Sequence, residues 1–242
     1  MKTILITGAS GGIGSEIASS FANSNNRLIL VYHSNAKAIQ TLKKKLFNKC
    51  ELFVYKCNLT DDTQLKHMID DIIEKYKKID ILINCAGISM FKQIQDVTDD
   101  DYHAVVDANL KSTIMTTSYV SKHMISEHYG KIINISSMWG VVGASMESVY
   151  SASKGAINAF TLSLAKELGP SNITVNAICP GLIDTPMNKK LDQSTIDSIV
   201  QDTPMQRIGT PKDVANLVKF LCNDKSDFIT GQIIMLDGGF TL

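Results

Sequence analysis

Neither sign of charge is in surplus in this 242-residue chain, because 24 Lys and Arg balance 24 Asp and Glu. A chain without a net field has nothing general to steer it onto nucleic acid or an anionic membrane. Its partner is expected to be a small molecule or a modest protein surface. Cysteine is scarce and unpaired in pattern. Cys50, Cys57, Cys85, Cys179 and Cys222 form no C-x-x-C pair, and their odd count argues against a disulfide framework or a zinc site. No metal site is expected, and the thiols read as reduced and buried in a cytoplasmic protein. Long apolar runs are absent too. The opening MKTILITGASGG reaches glycine after only a few apolar residues, far short of a signal peptide or membrane span. No low-complexity linker or composition break divides the chain, so a single domain over 1–242 is expected.

What the chain does have is apolar residues, 44% of the total, in a repeating arrangement. Short β-rich runs fall at 3–7 (TILIT), 27–32, 51–57, 80–84, 131–136, 173–178 and 232–236. Each is nearly continuous in apolar residues rather than alternating, as strands buried on both faces of a parallel sheet would be. Helix-length segments such as 65–76 and 152–168 lie between them. Strand and helix in alternation predict an α/β fold, a doubly wound parallel sheet with helices on both faces. Lys43, Lys44 and Lys45 read as the solvated face of one such helix.

Directly after the first strand comes TGASGGIG (7–14), with Gly8, Gly12 and Gly14 at the start of the first helix. Such a turn is either a tight strand–helix connection or a cradle for a pyrophosphate. Its backbone amides and the helix dipole attract an anion, and open α/β sheets bind ligands at this end of their strands. The second strand ends VYHSN, with no acid to take an adenosine ribose 2′-hydroxyl. That favours NADP(H) over NAD(H), with His33, Ser34, Asn35 and Lys37 near the 2′-phosphate. Further on, Tyr150 and Lys154 are four residues apart and share a helix face. Alone, the pair suits a wet surface better than it suits chemistry.

Several motifs then occur in order: TGASGGIG, NCAG (84–87), Asn109 in DANLKS, NISS (134–137), YSASK (150–154) and CPGLIDT (179–185). Together they resemble the short-chain dehydrogenase/reductase family over essentially the whole chain, which implies a Rossmann-type sheet. The resemblance implies that Asn109, Ser137, Tyr150 and Lys154 form the catalytic tetrad of a carbonyl reductase. Tyr150 would donate a proton to the forming alkoxide. Lys154 would lower the phenol's pKa and hold the nicotinamide ribose. Ser137, rather than its neighbour Ser136, would bond the substrate oxygen. Asn109 would hold a water that relays protons to Lys154. By the same register Ser10, Ile13, Leu59, Asn84, Ala86, Gly87, Pro180, Gly181, Ile183 and Thr185 are expected at the cofactor. Asn58 stands where the family has Asp to accept from the adenine amino group, and its amide oxygen is expected to accept instead. Gly11 departs from the Arg of many NADP-dependent members.

Similarity is greatest to the 3-oxoacyl-(acyl-carrier-protein) reductases, including TPMQRIGTPKDVANLVKFLCND (203–224). Those enzymes dock an acidic carrier protein on Arg or Lys before the fifth and sixth strands. Here the segments read SEHYGK (126–131) and GPSNIT (169–174), mostly without that charge. The string SMWGVVGASMESVYS (137–151) instead resembles reductases that act on a 5-aminopentanone modification of elongation factor P. Trp139, the only tryptophan, either packs against a helix or lines the pocket. Glu147 either caps a loop or pairs with a substrate amine. Met138 and Met187 complete the expected pocket, and 186–202 reads as a mobile lid or a rigid surface helix. The family implies a homotetramer or homodimer built on helices around 101–128 and 150–168 and the last strand. A protein that only senses NADP would need no proton donor, so the intact tetrad disfavours that alternative.

Overall fold

The computed structural model describes residues 1–242, the side chain of Lys190 excepted. Its elements are β1 (Lys2–Ile6), α1 (Gly12–Phe21), β2 (Asn26–Tyr32), α2 (Ala36–Leu46), β3 (Glu51–Lys56), α3 (Asp62–Tyr76), β4 (Ile81–Asn84), α4 (Asp99–Val106) and α5 (Ser112–Glu127). There follow β5 (Gly130–Ile135), α6 (Trp139–Val142), α7 (Ser148–Leu168), β6 (Ile173–Pro180), α8 (Gln193–Asp202), α9 (Pro211–Leu221) and β7 (Ile233–Leu236). The strands form one parallel sheet in the order β3-β2-β1-β4-β5-β6-β7. The expected doubly wound α/β fold is therefore observed, each strand lying within a residue or two of its expected position. β6 runs on to Pro180.

Side-chain alternation builds two cores from each central strand. In β1, Ile4 and Ile6 join Leu28, Leu30, Ile17 of α1 and Val214 and Val218 of α9 on one face. Leu5 points the other way, to Ile29, Leu82, Leu65 and Ile69 of α3, Val120 of α5 and Leu164 of α7. Every residue of β5 and β6 is buried, whereas the edge strands β3 and β7 are mostly half-buried. The buried positions of these strands include a cation. Lys131 of β5 is 1% exposed; its Nζ donates to Asn223 O (3.1 Å) and pairs with Asp227.

Helix starts follow local chemistry. Asp61 caps α3 by accepting from Gln64 N, which begins that helix earlier than the apolar pattern alone suggested. Thr98 with Asp101, and Thr210 with Asp213, close capping boxes on α4 and α9. Lys43, Lys44 and Lys45 are exposed in the last turn of α2, as expected. No helix among the described residues is long and apolar enough to cross a membrane. The strand order reverses between β1 and β4, so the carboxyl ends of these two strands open a crevice.

Candidate active site

The turn between β1 and α1 is shaped by close approach. Gly8 has φ +65°, and a Cβ there would lie 2.8 Å from the backbone of Ala86. A Cβ on Gly12 would lie 2.9 Å from Thr185, and one on Gly14 would collide with Gly8 O. Thr7 Oγ1 accepts from Cys85 N (3.0 Å) and Ala86 N (3.2 Å), which fastens the end of β4 to the turn. The result is a cleft of about 800 Å³ whose wall includes Gly8, Ser10, Gly12, Ile13 and Gly14. Such a cradle at a helix N-terminus fits the pyrophosphate of a dinucleotide.

At the far end of β2, His33, Ser34 and Asn35 line the same cleft, with no acid among them. Asn35 also caps α2, its Oδ1 accepting from Ala38 N (3.0 Å). Asn58, Leu59, Ala86, Gly87, Thr185 and Met187 border the cleft as well. The expectation for Asn58 needs correction. Its Oδ1 already accepts from Thr60 N (3.2 Å) and Thr60 Oγ1 (2.9 Å), so the short polar side chain has closed an Asx turn rather than kept its oxygen for an adenine.

Tyr150 and Lys154 sit in the first turns of α7 and face the cleft. Lys154 is 5% exposed and its Nζ donates to Ile135 O (2.9 Å), lying 5.8 Å from the centroid of the Tyr150 ring. Burial lowers its pKa to about 8, against smaller opposing effects of Cys85 and Cys179. Lys154 stays charged below about pH 8 but is not among the groups that lower the Tyr150 phenol. The phenol of Tyr150 is pushed up to about 12, first by burial, with the Ser137 hydroxyl pulling it down and Glu147 and Cys179 pushing it up. The physical reason is that desolvation of the phenolate outweighs every stabilising contact around it. The expected depression of the tyrosine is absent.

Ser136 and Ser137 are told apart by their partners. Ser136 Oγ donates to Lys154 O (3.0 Å), a tie between β5 and α7. Ser137 Oγ accepts from Trp139 N (3.2 Å), which leaves its O–H free to donate beside the Tyr150 hydroxyl. Asn109 lies in a π-helical turn (Asp107–Lys111) between α4 and α5, fully buried. Its Oδ1 accepts from Ile88 N (2.8 Å), and its Nδ2 donates to Ile88 O (3.0 Å) and Ser153 Oγ (3.0 Å). Both amide hydrogens are thus spent on holding the 88 segment to α7. A water relay through this side chain has only one lone pair of Oδ1 left to use.

Other expected residues lie elsewhere. Asn84 is buried below the cleft, Nδ2 donating to Thr117 Oγ1 and Asn134 Oδ1 (both 2.9 Å), and serves the sheet instead of the wall. Pro180 O accepts from Met138 N (2.9 Å). Gly181, Ile183 and Met138 line a separate cavity of about 170 Å³. Trp139 packs edge-on against Phe240, ring centroids 5.5 Å apart, which favours its packing role. Residues 193–202 of the expected lid form α8, capped by Asp192, whose Oδ1 accepts from Thr195 N. Sequence reasoning missed the wall made by Asp100, His103, Ala104 and Asp107 of the α4 region, and by Ile88. The signal for Ile88 was its place directly after NCAG; α4 offered none.

A family model described as "Enoyl-(Acyl carrier protein) reductase" matches residues 8–241. Three curated relatives, each a 3-oxoacyl-[acyl-carrier-protein] reductase, align along nearly their whole length. The one from Thermotoga maritima is 35% identical over 100% of this chain and 98% of its own. The Rickettsia conorii protein is 38% identical over 100% and 97%, and the Aquifex aeolicus protein 34% over 98% and 96%. The chain belongs to the short-chain dehydrogenase/reductase family. As a short-chain dehydrogenase/reductase it is an oxidoreductase; its glycine cradle, Tyr150 and Lys154 line one cleft, and the Ser137 hydroxyl lies beside that of Tyr150.

Proposed function

We propose that this chain is an NADPH-dependent ketone reductase in which Tyr150 delivers the proton that converts the carbonyl oxygen to a hydroxyl. The observation that carries the reading is Tyr150 and Lys154 on the wall of the glycine-lined cleft, with the Ser137 hydroxyl beside that of Tyr150. When bound, the nicotinamide supplies a hydride to the carbonyl carbon and leaves as NADP⁺. The free O–H of Ser137 orients the carbonyl oxygen. Tyr150, with its pKa near 12, is protonated at every working pH and so is always loaded as a donor. Lys154, while charged, supports the phenolate as the proton leaves. Asn109 is a positioning residue that holds the segment after β4. His33, Ser34 and Asn35, without an acid, support NADPH as the reductant, and Thr185, Gly12 and Ala86, which line the cleft, would border the dinucleotide.

The names of the relatives support a 3-oxoacyl thioester on acyl carrier protein as substrate. A second reading, a 5-aminopentanone group on elongation factor P, is favoured by the surface. Asn172 Nδ2 donates to His128 O (3.2 Å), so the two segments expected to dock a carrier protein adjoin. They carry Glu127 and His128, and the cation of that stretch, Lys131, is buried against Asp227. Exposed Tyr102, Ile125 and Leu162 on α4, α5 and α7 support assembly through those helices, and a homotetramer is expected in light scattering.

The test is NADPH oxidation by the purified protein with each substrate, repeated with NADH. Tyr150→Phe should abolish ketone reduction, by at least about a hundredfold, while nucleotide binding stays nearly intact. Unchanged turnover in that variant would refute the assigned donor. Nucleotide binding without turnover of any ketone would favour a sensor.

A further inference from the structure

We infer that Asn158 is a positioning residue that sets the Ser137 hydroxyl against Tyr150 by clamping the turn after β5 to α7 and β6. The inference rests on the ketone reductase proposed above. Ser137 follows β5 and Tyr150 rides on α7, so their juxtaposition depends on how the intervening helix α6 docks. That helix cannot hold its own place. Trp139–Val142 is one turn of four residues, far too short to be stable alone, and Val141 and Val142 are exposed. The start of α7 has no side-chain cap, since Glu147 makes no such bond, so packing against neighbours also holds the first turns that carry Tyr150.

Two contacts seat α6 on α7. Gly140 lies directly on the α7 backbone: a Cβ there would be 2.7 Å from the Lys154 carbonyl carbon, and one on Gly155 would be 3.2 Å from Gly140 O. Asn158 then takes the Gly140 carbonyl, its Nδ2 donating at 3.1 Å. The residue is costly where it stands, because asparagine is a poor helix former and a buried amide has to be bonded. It is 8% exposed within the 21-residue α7, one turn beyond Lys154, and its Oδ1 accepts from Cys179 Sγ (3.6 Å) of β6. One amide thus joins α6, α7 and β6.

From Gly140 the clamp reaches Ser137 by two short steps. Gly140 N donates to Ser137 O (3.0 Å), and Trp139 N donates to Ser137 Oγ (3.2 Å). The second bond aims the hydroxyl, leaving its O–H for a carbonyl oxygen. The main chain on either side of Ser137 is fixed independently, with Ser136 N donating to Ile178 O (2.8 Å) and Met138 N to Pro180 O (2.9 Å). Loss of the clamp therefore misdirects the hydroxyl without detaching the strand. Lys154 keeps its own ties, Nζ to Ile135 O and its carbonyl to Ser136 Oγ, so the nucleotide cleft is spared.

The test uses the whole enzyme with NADPH and whichever of the two substrates named above it reduces. Asn158→Leu should lower kcat by roughly tenfold or more, the scale of a misplaced orienting group, with KM and the NADPH dissociation constant changed by less than about twofold. In a Ser137→Ala background the same substitution should change single-turnover hydride transfer by less than about twofold, because residues that act through one another are not additive. Asn158→Ser, too short to reach Gly140 O, should repeat both results and replaces the leucine variant if circular dichroism shows that variant unfolded. An unchanged kcat, an equal loss in both backgrounds, or NADPH binding that weakens in step with kcat would overturn the role of Asn158. Reduction of neither substrate by the wild type would overturn the reductase reading itself and the inference with it.

Discussion

Replacing Lys154 by methionine should stabilise the fold near neutral pH. Burial lowers the ammonium from 10.5 to about 8, and each unit corresponds to about 1.4 kcal/mol. The charged form therefore burdens the folded state by about 3 kcal/mol. Below pH 8 folded and unfolded chains both hold the proton and the burden is complete. Between pH 8 and 10.5 the folded chain has released a proton that the unfolded chain still binds, so stability rises with pH; above 10.5 the burden is gone. Methionine keeps the aliphatic stem but loses the bond to Ile135 O, a cost of about 1 kcal/mol. Lys154→Met should thus exceed the wild type by about 2 kcal/mol near neutrality. The gap should then close and reverse in alkali. Urea unfolding followed by far-ultraviolet circular dichroism over this range would measure it. A difference between the two proteins that does not change with pH would refute the reasoning.

Three other outcomes are expected. In ketone reduction, kcat/KM should fall as pH rises through about 8, where Lys154 loses its charge, with no break from Tyr150 until about 12; a flat profile across pH 8 would contradict this. Gly8→Ala should cost about 2–4 kcal/mol in thermal or urea unfolding, because φ is +65° and the new Cβ meets the Ala86 backbone at 2.8 Å; a cost under about 1 kcal/mol would show that the turn yields. Lys131→Met should lose about 1 kcal/mol and Lys131→Ala about 2–4 kcal/mol in urea unfolding, since the buried stem packs whereas the partner Asp227 stays half in water; equal losses would make the charge, not the stem, the source of stability.

The sheet was readable because its signal is local. Ile4, Leu5 and Ile6 are apolar in succession, and a strand with neighbours on both faces needs no more than that. The sharing of a helix face by Tyr150 and Lys154 was readable for a similar reason, a fixed spacing on one helix. What a polar side chain does once it arrives was not readable. Asn58 spends its oxygen on Thr60, Asn84 its amide on Thr117 and Asn134, and Lys154 its ammonium on Ile135 O. Each partner comes from chain geometry that single-residue patterns do not carry. The π-helical turn at Asn109 is similar: poor helix propensity marks the residue, but the clamp on Ile88 depends on the approach of a loop 21 positions away.

The edge-on contact between Trp139 and Phe240 ties the single tryptophan of the chain to its final residues. Selective excitation of the indole therefore reports on one junction, where α6 meets the segment after β7, and is blind to the half of the sheet that carries the glycine turn. If the carboxyl-terminal segment peels away before the sheet melts, indole emission will change ahead of the circular dichroism. The two optical curves will then separate without any label having been added.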